Sequence, residues 1–282
     1  MLSVRLILAI SKIHNLDSKA IDFVLDFPQA DLEEDICMYL PSGVQVGGHT
    51  EASSERSFHL KLNKNLYGLK QGSYNWYEKL KKSLFDRGFK PSDIDPCLYI
   101  GNGMIILTYV DDCIIIGPSM ENINRFVDSM KNSDENSVLT DKGDINKFLG
   151  IEINQLYDKI FKIFQPYLTD RIISFLKIDA NDHKVETNTK STPVGKPLLH
   201  KDISVNPRKE TWNYRTAVGM MTYLQGKFQP EMSMDVHQTA RFWNNPMLLH
   251  KKAIERLGRY LSRTRKEGIV YNPNTSKGLG FT

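Results

Sequence analysis

Cysteine is scarce in this chain: Cys37, Cys97 and Cys113 are the only three in 282 residues, an odd number with no Cys-x-x-Cys spacing. That argues against a disulfide framework or a zinc knuckle and suits a reducing compartment. Cys113, inside an apolar run, reads as a small core residue. Long hydrophobic runs are missing too. The run at 104–117 is too short to cross a bilayer and carries two charges, so no membrane partner is expected. The opening MLSVRLILAI has no small-residue cleavage site after it, and its apolar positions continue at helical spacing through Ile10 and Ile13; a helix packed inside is expected. Charge of one sign is also in short supply. A net +4 is too mild to indicate nucleic acid by itself, so the placement of the basic residues must carry any such argument. With 40% hydrophobic residues, the chain is not disordered and can bury one large core or two to three subdomains.

What is present centres on MIILTYVDDCIIIG, residues 104–117. Met104 to Val110 and Cys113 to Ile116 are short, β-branched and apolar, which predicts two buried strands joined by a turn at Asp111 and Asp112. No glycine is there to take a positive φ, so a local penalty is expected. Adjacent carboxylates repel unless a cation lies between them, and a divalent metal is the simplest such cation. An isolated YVDD also fits a plain exposed hairpin tip. A further acid from another strand decides between the two.

That acid lies in AIDFVLDFPQADLEEDICMYLP, residues 20–41. Ile21, Phe23, Val24 and Leu25 predict a buried strand that Asp22 interrupts, with Pro28 marking its exit from the sheet. An acid in such a strand is costly unless paired or metal-bound. Asp26 is the other candidate, but acids four residues apart on a straight strand lie about 13 Å apart and cannot share one ion. The pattern leaves the choice open. Exposure at a strand end suits Asp26 better than Asp22.

Asp22 in IDFVLDF, LEEDICMYLP at 32–41, LNKNLYGLKQGSYNWY at 62–77, DPCLYI at 95–100 and YVDD at 109–112 follow one another in an order that resembles the copia-type retrotransposon reverse transcriptases. KFLGIEI at 147–153, QPYLTDRI at 165–172, STPVGKPL at 191–198, YRTAVGMMTYLQG at 214–226 and the stretches at 240–261 and 268–271 extend the likeness over nearly the whole chain. The resemblance implies an α+β right-hand polymerase: an antiparallel palm sheet covered by helices, with partial fingers, a thumb and a helical connection. Residues 1–165 would be palm with a fingers insertion at about 42–95, residues 166–190 the start of the thumb, and residues 191–282 thumb and connection helices leading towards an RNase H-like domain.

It further implies RNA-templated addition of dNTPs to a DNA primer. Asp22, Asp111 and Asp112 would be the catalytic acids: Asp22 and Asp111 would hold two Mg2+ ions, with Asp112 assisting and Mn2+ as an alternative metal. Phe27, Lys70, Gln71, Gly72 and Tyr109 would line the nucleotide pocket. Phe27 would stand as an aromatic gate against the ribose 2′-hydroxyl, although a core phenylalanine fits its position equally. Phe148, Leu149 and Gly150 would hold the primer terminus in a hairpin, and Lys252, Arg256 and Arg259 would meet the duplex. Integrase and RNase H domains of the same polyprotein are expected, in a cytoplasmic virus-like particle and the nucleus.

The remaining elements come from periodicity. Tyr74, Tyr77, Leu80, Leu84 and Phe85 predict the buried face of a helix, with Lys79, Lys81 and Lys82 largely opposite. A second amphipathic helix is expected at 120–133, covering the sheet, then a strand pair turning near Asp158 and a helix over 167–178. Residues 44–57 read as a polar loop and 180–211 as a linker. Near the C-terminus Lys251, Lys252, Arg256, Arg259, Arg263, Arg265 and Lys266 face only Glu255 and Glu267; this is a phosphate-binding face or a solvated one. His237 and His250 lack ligand-spaced companions and are read as structural. Asp26 replaces the alanine usual in the family, Asp31 and Cys37 are also departures, and QPEMSM at 229–234 lacks the customary arginine and aspartate. The chain starts inside the palm-proximal helix and ends at LGFT, so a fragment or degenerate copy is expected, weak or inactive alone.

Overall fold

A computed structural model describes residues 2–41, 59–132, 137–157, 159–178, 192–193, 199–200 and 212–273. The expected loop at 44–57 and most of the expected linker at 180–211 lie outside them. The chain divides into two compact units, 1–145 and 146–282.

The first unit contains, in order, α1 (Leu2–Ile13), β1 (Asp17–Phe23), α2 (Asp26–Gln29), β2 (Cys37–Tyr39), β3 (His59–Lys61), α3 (Gly72–Asp86), β4 (Lys90–Pro91), β5 (Leu98–Gly101), β6 (Met104–Tyr109), β7 (Asp112–Gly117), α4 (Met120–Lys131) and β8 (Leu139–Gly143). Six of the strands form one antiparallel sheet in the order β4-β5-β6-β7-β1-β8. Both faces of its middle are covered, which is why β6 and β7 read as continuous apolar runs. Ile21, Phe23, Ile106, Cys113 and Ile115 pack with Trp76, Leu80 and Leu84 of α3 and Ile123, Phe126 and Val127 of α4. Alternation turns Ile114 and Ile116 to the other face, where α1 contributes buried Val4, Ile7 and Leu8. The helices at 2–13 and 120–131 thus follow the expected pattern.

Two expectations are corrected here. The buried face of α3 is Gly72, Trp76, Leu80, Ser83 and Leu84, whereas Tyr74 and Phe85 are exposed. Spacings of four place the tryptophan on the core stripe and turn Tyr74 and Phe85 away from it. The strand carrying Asp22 stops at Phe23. Leu25 adopts a left-handed conformation (φ 53°), Val24 and Leu25 are exposed, and Pro28 sits within the short α2.

The second unit contains β9 (Lys147–Phe148), β10 (Ile151–Tyr157), β11 (Ile160–Phe164), α5 (Pro166–Phe175), α6 (Tyr214–Lys227), a 3-10 turn at Pro230–Met232, α7 (Ser233–Ala240), α8 (Leu248–Arg263) and β12 (Ile269–Tyr271). Its sheet runs β12-β11-β10-β9, and α5 packs against α6 and α8. The expected strand pair is present as β10 and β11, with Asp158 lying outside the described residues, and the helix expected over 167–178 spans Pro166–Phe175.

Candidate active site

The β6–β7 hairpin closes one residue earlier than expected. Tyr109 pairs with Asp112, so the two-residue turn is Val110–Asp111, and Asp112 is the first residue of β7. The positive φ falls on Val110 (φ 56°), a β-branched residue for which that region is strained. Two contacts hold the turn there: the indole Nε1 of Trp76 donates to the Val110 carbonyl at 2.7 Å, and the Phe23 amide donates to the Asp111 carbonyl at 2.8 Å.

The strand register brings two acids together. Asp22 lies directly opposite Asp112 on the neighbouring strand, so their side chains leave the same face of the sheet. Asp111, in the turn, is exposed. The cation beside the pair is a lysine. Lys142 Nζ donates to Asp22 Oδ1 at 2.8 Å and to Asp112 Oδ1 at 3.1 Å. β8 delivers it through a bulge: Asp141 pairs with Ile21 and Gly143 with Ala20, leaving Lys142 as the extra residue. An extra residue re-aims its side chain. Burial lowers the Lys142 pKa, but the hydrogen bonds and charges of Asp22 and Asp112 outweigh it, and the net direction is upward.

Hard carboxylate oxygens of this kind suit Mg2+ chemically. Asp22 and Asp112 offer them from adjacent strands, but no group of three His, Cys, Asp or Glu placed to hold a metal occurs among the described residues. The donor type fits the ion, and two of the three expected acids converge.

Asp26, the other candidate acid, for which exposure at a strand end was one of the readings left open, is 1% exposed. The left-handed Leu25 folds the chain back and turns Asp26 inward as the first residue of α2. Its Oδ1 accepts the Tyr67 hydroxyl, while the buried Oδ2 has no hydrogen-bond partner among the described residues. The Tyr67 phenol is pushed up to about 12, chiefly by that hydrogen bond, then by burial and by the charges of Asp26 and Asp111. Asp111 therefore shares the surroundings of Tyr67.

The residues assigned to a nucleotide pocket fall near this corner. Phe27 is half-buried; its ring centroid lies 4.8 Å from that of Tyr67, and it packs against the core. A Cβ on Gly72 would come within 3.5 Å of the Phe27 ring and 3.3 Å of the Leu66 carbonyl, so the glycine permits that approach. Gln71 donates to Glu34 at 3.2 Å, and Lys70 and Tyr109 are exposed.

In the second unit Leu149 and Gly150, both at positive φ, form the two-residue turn between β9 and β10. Gly150 therefore closes a hairpin. Phe148 is 3% exposed and belongs to the core. The basic helix has more internal partners than its sequence suggests. Arg265 pairs with Asp170, Lys251 and Arg259 with Glu255, and Arg256 donates to the carbonyls of Thr192 and Pro193. Lys252 remains exposed. His250 is structural: it accepts the Met247 amide at 2.9 Å, contacts the His200 carbonyl and stacks on Phe242.

Sequence reasoning missed Trp76, Tyr67 and Lys142. Trp76 had a signal, its four-residue spacing from Gly72 and Leu80. Bulges leave no periodic trace, so Lys142 had none.

An antiparallel α+β sheet with acids facing each other at neighbouring strand ends suits a template-directed polymerase. The chain belongs to the reverse transcriptase (RNA-dependent DNA polymerase) family, which matches residues 1–195. It is 28% identical to the retrovirus-related Pol polyprotein from transposon TNT 1-94 of Nicotiana tabacum, over 100% of this chain and 21% of that protein. The corresponding protein from transposon RE1 of Arabidopsis thaliana is 28% identical over 98% of this chain and 18% of its own length. The transposon TyH3 Gag-Pol polyprotein of Saccharomyces cerevisiae is 23% identical over 76% of this chain and 13% of its own length. The chain thus spans about a fifth of the plant relatives it matches. These matches bear out the likeness to copia-type retrotransposon reverse transcriptases.

Proposed function

We propose that this chain is the part of a copia-type Pol polyprotein that adds deoxynucleotides to a DNA primer on an RNA template. Asp22, Asp111 and Asp112 are its metal-binding acids. The observation that carries the reading is the direct pairing of Asp22 with Asp112 beside the Val110–Asp111 turn. Two acids ninety residues apart in sequence are made neighbours by the sheet register. Two Mg2+ ions, or Mn2+ in their place, supply activation of the primer 3′-hydroxyl and stabilisation of the leaving pyrophosphate when bound. Asp22 and Asp112 fix the oxygen donors on two rigid strands, and Asp111 brings a third carboxylate from the turn. Trp76 and the Phe23 amide keep that turn from drifting. Phe27 and Gly72 shape one wall for the nucleotide.

In this reading residues 1–165 are palm with partial fingers, 166–190 begin the thumb and 191–282 continue into the connection. The RNase H and integrase domains belong to the same polyprotein, in a cytoplasmic virus-like particle and the nucleus.

A second reading, a non-catalytic relic that grips primer-template duplexes, draws on the lysine lodged between Asp22 and Asp112. Extension of oligo(dT) on poly(rA) with Mg2+ separates the two. Incorporation that disappears in Asp111→Asn supports the polymerase; duplex binding without incorporation supports the relic.

A further inference from the structure

We propose that Lys142 is a built-in counter-ion for the Asp22–Asp112 pair, which a divalent cation must displace, so that this lysine sets how tightly the site takes up metal. The inference rests on the metal-binding reading above. Three observations lead to it. The chain inserts one extra residue into β8 at this position, so the lysine is aimed at the acids by the backbone. Its ammonium reaches one oxygen of each carboxylate at hydrogen-bond distance, 2.8 Å to Asp22 and 3.1 Å to Asp112, the shorter at the spacing of a charge-assisted bond. Its side chain is also 45% exposed, against 28% for each acid, so it can swing out on its flexible stem without unpacking a core.

A metal ion and an ammonium cannot use the same carboxylate oxygens together without like-charge repulsion. Metal binding therefore selects the conformers in which Lys142 has withdrawn. The apparent affinity falls by the fraction of molecules in that state. A lysine that occupies the pair about nine-tenths of the time weakens apparent metal affinity about ten-fold. The same contact steadies the metal-free protein, because without it two carboxylates on adjacent strands face each other unscreened. Lys142 is thus a positioning residue for the acids rather than a group that touches reacting atoms.

Mn2+ binding to the 282-residue chain, followed by loss of the free-ion electron paramagnetic resonance signal, tests this. Wild type is compared with Lys142→Gln and Lys142→Met, with Lys142→Arg as the charge-keeping control and Asp112→Asn as the acid deletion. The two neutral variants differ in polarity, so one that folds suffices. Expected are Mn2+ affinities about ten-fold tighter in the neutral variants, no tightening in Lys142→Arg, and a lower metal-free melting temperature in the neutral variants that Mn2+ restores. Equal affinity in wild type and both neutral variants, abolished in each background by Asp112→Asn, overturns the role of Lys142 and leaves the metal reading standing. Mn2+ binding that is absent throughout, or indifferent to Asp112→Asn, overturns the metal reading and this inference with it.

Discussion

Lys19 shows what a charge inside a sheet needs. It is 8% exposed, on the same face of β1 as Ile21 and Phe23, and its ammonium reaches Asn124 of α4 at 2.7 Å and Asp141 of β8. That pairing, more than any other influence, holds the Asp141 carboxyl below its ordinary 3.8. A depressed acid contributes stability that is fully present above 3.8 and is lost as pH falls through the lower folded value. Lys19→Met should therefore unfold at higher pH than wild type during acid titration and lose about 1–2 kcal/mol at neutral pH in urea melts. Tyr67 offers the opposite sign. With its pKa raised from 10 to about 12, it contributes stability that is complete below 10 and disappears as pH climbs between those values. Phenolate absorbance, with Tyr67→Phe subtracted to isolate the residue, should show this titration moving back towards 10 in Asp26→Asn. A titration unmoved by that substitution contradicts the Asp26–Tyr67 bond as its main cause.

The hairpin of β6 and β7 is the element on which the site depends. Alternation and β-branching made both strands legible in the sequence, and the missing glycine correctly signalled a strained turn. Which residue would bear the strain was not legible. Register is fixed by partners far away in sequence, here Trp76 and Phe23, and they shift the turn back to Val110. Val110→Asn, which tolerates a left-handed backbone better, should stabilise the protein by about 1 kcal/mol in thermal melts. Trp76→Phe keeps an aromatic ring of smaller size but leaves the Val110 carbonyl without its donor; a cost of about 1–3 kcal/mol is expected, with a drop in incorporation. The basic helix α8 was legible as a helix, but the partners of its charges and of those just beyond it were not all legible. Arg256 and Arg265 are engaged inside their own unit. Lys252→Ala should accordingly lower the salt slope of duplex binding by about 1, whereas Arg256→Ala should chiefly lower the melting temperature.

At the scale of the whole chain, the order of motifs told more than any one of them. Asp22 was placed with the hairpin acids by that order, and the strand register agrees. The sequence pattern left Asp26 open and did not show its burial, because a single left-handed residue, Leu25, turns an apparent strand end into a buried corner. It was also silent on Lys142, since a bulge leaves alternation intact on either side. The account comes down to one acid, Asp22, brought from early in the chain to a hairpin formed far downstream. Incorporation of dNTP on a poly(rA)–oligo(dT) duplex, measured alongside duplex affinity in wild type and Asp22→Asn, addresses it most directly. The account predicts that incorporation falls by more than about 100-fold while duplex affinity is kept. Incorporation that survives in Asp22→Asn would contradict it.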